Sequence, residues 1–94
     1  MSEAKKVSLT MGQSAEVEGL RITFMGGTTV HYNTDREPQG AVAFDLEYDG
    51  ELEMMNEVEY DWGKPREVFG FTLRVLNRPE KLPRTLELEV TPRR

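Results

Sequence analysis

Eight of the seventeen Asp and Glu residues of this chain fall between Ala41 and Asp61, with no Lys or Arg among them. Carboxylates grouped in this way can do two kinds of chemistry. A pair can act as general acid and base, as in glycoside hydrolysis. That needs a cleft that drives the two pKa values apart, and these acids alternate along what reads as an exposed face. A cluster can instead hold calcium, which takes about six to eight oxygen ligands. Asp49 and Glu51 are the candidate ligands, with Glu47 near them, although their spacing matches no EF-hand loop.

The other reactive residues are few. His31 is the only His, and Ser2, Ser8 and Ser14 are the only serines. None of the serines sits in a nucleophile elbow, and a lone exposed His is a poor ligand or base. No glycine pattern of a phosphate-binding loop is present. Trp62, the only Trp, stands between Asp61 and Gly63. In that setting it can anchor a partner or close one end of a core. The expectation is a protein without catalytic residues.

The acids need a scaffold, and the polarity pattern supplies one. Val42, Phe44 and Leu46 alternate with Ala43, Asp45 and Glu47. Beyond Asp49-Gly50 the alternation resumes, with Leu52, Met54 and Val58 against Glu51, Glu53, Glu57 and Glu59. Period two marks half-buried strands, and Asp-Gly between them marks a hairpin. Matching apolar to apolar favours a three-residue loop, Tyr48-Asp49-Gly50. It would set Leu46 opposite Leu52 and Phe44 opposite Met54, with Asp45 facing Glu53 and Glu47 facing Glu51. The alternative is a helix over 51–62, which is rich in helix formers and flanked by cap residues. Against it, Glu57, Glu59 and Asp61 would crowd the negative end of the helix dipole.

The rest of the chain repeats the strand signal. Val7–Met11, Ala15–Val17, Leu20–Phe24, Phe69–Val75 and Leu86–Val90 each alternate. Gly26-Gly27 reads as a hairpin tip that would return the chain through Val30 and Tyr32, leaving His31 outward beside Arg21. The segments 33–40 and 77–83 are rich in turn formers and read as loops. Regular short strands of this kind suggest an all-β antiparallel sandwich of seven or eight strands, or a small barrel. The expected unit is one domain, residues 1–94, with 1–6 and 92–94 frayed.

Gly12-Gln13, Gly19 to Phe24, Asp35-Arg36, Pro38, Gly40 to Val42, and Gly70 to Val75 before Pro79 form a recognisable order. It resembles that of small bacterial β-sandwich domains of immunoglobulin-like build, some of them lipoproteins. The resemblance implies a sandwich and no particular activity. This chain departs from the group in having no cysteine around the Asp-Arg-Pro loop, and its N-terminal residues do not read as a leader.

Charge narrows the partners. Residues 1–40 carry five acids and four bases, residues 41–61 eight acids, and residues 62–94 eight bases and four acids, for a net charge of −5. An acidic chain is a poor nucleic-acid binder, because phosphate affinity needs a basic field. No apolar run is long enough to span a membrane. No Cys is present and no apolar stretch follows Lys5-Lys6. The reading is therefore a cytoplasmic protein, with a mature secreted form as the alternative. The expected function is a non-enzymatic binding or assembly module. Asp45, Glu47, Glu51, Glu53, Glu57, Glu59 and Trp62 would meet a basic surface, on another protein or on the C-terminal third of a second copy. The alternative is a small sandwich that binds calcium or carbohydrate near Asp49, Glu51 and Trp62.

Overall fold

The computed structural model describes residues 3–92. Eight strands follow one another: β1 Lys5–Thr10, β2 Ser14–Val17, β3 Leu20–Val30, β4 Gln39–Tyr48, β5 Glu51–Val58, β6 Arg66–Val68, β7 Phe71–Val75 and β8 Thr85–Pro92. Glu59–Asp61 form a single 3-10 turn after β5. The helix considered for 51–62 does not form, and its residues are the second arm of a hairpin. β1 starts at Lys5 and β8 runs to Pro92, so both take in residues that the alternation left outside the strands.

Two four-stranded antiparallel sheets result, one in the order β1-β8-β7-β6 and the other β2-β3-β4-β5. The domain is a β-sandwich. Within each sheet consecutive strands pair, except that β8 returns to pair with β1; β1 and β2, and β5 and β6, lie in different sheets. The order is therefore an up-and-down circuit opened at two seams, β1/β2 and β5/β6. Immunoglobulin domains instead divide their strands as ABED and CFG.

The core lies between the sheets. Leu20, Ile22, Phe24, Val42, Phe44 and Leu46 come from one sheet, and Phe71, Leu73, Val75, Leu86, Leu88 and Val90 from the other. All are spaced by two along their strands, as the pleat requires. At about 25 cal/mol per Å2 of apolar area removed from water, this layer is the main source of stability.

Three connections within the sheets are two-residue turns ending in Gly: Glu18-Gly19, Asp49-Gly50 and Phe69-Gly70. Both residues of each have positive φ, 47° and 89°, 51° and 81°, and 52° and 78°. That is the requirement of a type I′ turn, whose twist matches that of the strands it joins. Phe69 is an unusual occupant of such a position. Its ring stacks on Tyr48, with centroids 6.0 Å apart, and this packing offsets the backbone strain.

Two registers differ from those the polarity pattern suggests. The Asp49-Gly50 loop has two residues, not three, so Leu46 faces Glu53, Phe44 faces Met55, Asp45 faces Met54 and Glu47 faces Leu52. The opposed pairs Asp45–Glu53 and Glu47–Glu51 do not exist. Matching apolar to apolar failed because β5 is an edge strand, whose inner-parity Glu51 and Glu53 overhang the margin of the core. Nor do Gly26 and Gly27 make a hairpin tip. They continue β3, which bulges between Phe24 and Gly26 and runs on against β4 to Val30. His31 follows the end of β3, away from Arg21, which faces Glu47. Glycine is needed here for space. A Cβ on Gly27 would collide with the Pro83 carbonyl, and one on Gly40 with the Glu80 carbonyl. The loop after β7 packs its backbone under the ends of β3 and β4. The Thr29 hydroxyl fastens it there by donating to the Lys81 carbonyl at 2.6 Å.

Candidate functional site

The outer face of the β2–β5 sheet is laid out in rows. Register places Glu16, Arg21, Glu47 and Leu52 side by side across the four strands, and Ser14, Thr23, Asp45 and Met54 in the next row. Arg21 thus stands between two acids, a favourable cross-strand arrangement. The Ser14 and Thr23 hydroxyls are 2.7 Å apart and share a hydrogen bond. Polarity changes along each row. The β2 end is hydroxyl and charge, the β4 position is a carboxylate, and the β5 end is a large apolar side chain open to water. Leu52 is 61% and Met54 76% exposed. A shallow groove of about 270 Å3 runs among Ser14, Arg21, Thr23, Asp45, Glu47 and Leu52.

β5 turns its other parity toward the interior. Glu51 and Glu53 lie there but remain exposed, beyond the margin of the core. Inward-pointing charges on an edge strand are a known device against edge-to-edge aggregation. Glu57, on the same parity, is 3% exposed. A buried carboxylate needs a partner, and Arg66 of β6 provides one. Its Nε donates to Oε1 at 2.8 Å and its Nη2 to Oε2 at 3.1 Å. The hydrogen bond to Glu57, then its charge, raise the Arg66 pKa above the ordinary guanidinium value.

Around this ion pair the β5/β6 seam is closed by side chains. Asp61 lies 3.7 Å from Arg66 Nη2 and 3.4 Å from Lys64 Nζ. The Trp62 indole N–H donates to the Glu57 carbonyl at 2.9 Å. Glu59 Oε1 accepts from the Gly40 N–H at 2.9 Å, continuing the β4–β5 ladder with a side chain.

The seven expected partner-contact residues therefore divide. Asp45 and Glu47 share the outer face with Leu52 and Met54, and Glu51 and Glu53 line the open edge. Glu57, Glu59 and Trp62 are engaged inside the fold and hold the seam. Arg66 was missed. Only the two-residue turn puts Glu57 on the inner parity, and from there a buried carboxylate asks for a cation. Asp49 sits in the β4–β5 turn and Glu51 opens β5. Among the described residues no group of three or more His, Cys, Asp or Glu could hold a metal ion. Another groove, about 520 Å3, mixes Lys6 and Arg78 with Glu80 and Glu87. Ser8 donates to Glu87 there, at 3.0 Å. No histidine lines that groove to make the contact a nucleophile and base.

No helix among the described residues is long and apolar enough to cross a membrane. No family model matches this chain, and no curated protein or solved structure is significantly similar to it. Fold and surface define a class, a small β-sandwich with one acidic, partly apolar hairpin, and the functional reading rests on that surface.

Proposed function

We propose that this chain is a non-enzymatic binding or assembly module that offers its β4–β5 hairpin to a basic surface on another protein, in the cytoplasm. One observation carries the reading. Leu52 and Met54 stand side by side in water, bordered by Asp45 and Glu47 on the same face and by Glu51 and Glu53 along the edge. Exposed apolar residues within a polar rim are the anatomy of a protein contact. The acids give it a sign, which steers association with a basic partner and sets its salt dependence.

The test uses the wild-type chain and a variant with Asp45→Asn, Glu47→Gln, Glu51→Gln and Glu53→Gln as parallel baits for proteins of the native host. A basic protein held by the wild type at low salt, released at high salt and not held by the variant supports the reading. The same set of proteins on both baits refutes it.

A further inference from the structure

We infer that β5 is a docking edge for strand addition, and that its occupant is an extended segment alternating Lys or Arg with apolar residues. This rests on the acidic-hairpin reading and specifies how the partner is held.

The backbone supplies the first argument. Tyr48 and Glu51 flank a two-residue type I′ loop and so form a hydrogen-bonded pair. Alternate pairs along an antiparallel ladder exchange both bonds. Leu46–Glu53, Phe44–Met55 and Val42–Glu57 are therefore bonded pairs. Leu52, Met54 and Asn56 turn their N–H and C=O groups the other way, to the open edge. The Gly40 N–H confirms this phase, since it points to the β5 side and meets Glu59 there. β5 is the longest of the four edge strands, eight residues against six, four and three. The Glu57–Arg66 pair closes its far end, which leaves the stretch from Glu51 to Asn56 open.

The side chains supply the second argument, charge complementarity. A strand laid on this edge would set alternate residues beside Glu51 and Glu53, and the intervening ones beside Leu52 and Met54. Like charges directly opposite are destabilising. A second β5 would bring Glu against Glu and is repelled. A strand with cations on one parity and apolar residues on the other satisfies both rows. The acids that guard the edge against self-pairing thus admit one class of partner.

The experiment titrates the intact chain with a capped peptide of about seven residues alternating lysine and valine, long enough to span the open edge. Two control peptides carry N-methyl groups, one on its valine nitrogens and one on its lysine nitrogens. Methylation removes donors without touching charge. In an antiparallel addition the valines lie opposite Leu52 and Met54 and make the bonds. The valine-methylated peptide should bind at least about tenfold more weakly than the parent, and the lysine-methylated one nearly as well as the parent. The parent should also slow hydrogen exchange at the Leu52, Met54 and Asn56 amides. Equal binding by all three peptides, with those amides unprotected, overturns strand addition while leaving an acidic face that holds cations. Failure of every peptide to bind at low salt overturns both readings.

Discussion

Arg66 of β6 grips Glu57 of β5 at two points, 2.8 and 3.1 Å, across a seam where the two sheets share no ladder. The pair is asymmetric. The Glu57 side chain is 4% exposed and that of Arg66 47%. Removing the cation strands a buried charge, whereas removing both charges leaves an apolar contact. Arg66→Met should therefore cost about 2–3 kcal/mol, below the usual range for a buried pair because Arg66 is half open to water. Glu57→Leu combined with Arg66→Met should return to within about 1 kcal/mol of wild type. Urea denaturation followed by Trp62 fluorescence reads both, since the single Trp sits on this seam. A double variant as unstable as Arg66→Met would show that the pair contributes more than the cancellation of a buried charge.

The same pair fixes a pH expectation. A cation whose pKa is raised on folding contributes stability that is fully present below its unfolded value and lost only as pH climbs through the folded one. For Arg66 that window is strongly alkaline. Between about pH 8 and 10 the stability difference between wild type and Arg66→Met should stay flat, because a guanidinium titrates above that range. A difference that shrinks within it would mean that the pair is not held as described.

Gly27→Ala should destabilise by about 1–3 kcal/mol through overpacking, because the added methyl meets the Pro83 carbonyl and the loop must lift. Gly50→Ala meets no atom within 4 Å, but its φ is 81°. It should cost about 1–2 kcal/mol through left-handed strain. Thermal melts of the two variants separate the causes when Asn is tried at each position. Asn tolerates positive φ and should recover part of the loss at Gly50 but none at Gly27.

Arg21 faces Glu47 on one side and Glu16 on the other. Arg21→Glu would put three carboxylates in a row and should cost up to about 2 kcal/mol at low salt. Added sodium chloride should restore much of it, because the face is exposed and screened over about 8 Å at physiological ionic strength. Glu53→Lys, by contrast, has Leu46 opposite it and should change stability by less than about 0.5 kcal/mol.

The sandwich was legible because its inner strands alternate cleanly. Phe71, Leu73 and Val75, and Leu86, Leu88 and Val90, read as strands from polarity alone. The hairpin was legible as a hairpin but not in register. Its turn is decided by the positive φ of Asp49, whereas the polarity rule assumed that β5 buries its apolar side. Leu52 and Met54 do the opposite. Phe69-Gly70 was hidden because Phe seldom takes that backbone position and reads as the start of a strand. Gly26-Gly27 was misread because the reason for glycine at position 27 lies in a loop more than fifty residues further on. The acidic face was legible as composition. Its division into outer face, open edge and buried seam depends on register, which no local pattern carries.

The return of β8 to β1 also governs the order in which a growing chain can assemble. The β2–β5 sheet is a contiguous meander, and each of its strands meets its partner as soon as that partner leaves the ribosome. The other sheet cannot be finished that way. Lys5 pairs with Val90 and Leu9 with Leu86, so β1 stays without its ladder until β8 has been made. Contacts so distant along the chain are slow to form, since a large loop must close first. Until β7 and β8 follow, the inner face of Phe24, Phe44 and Leu46 has no second sheet to cover it.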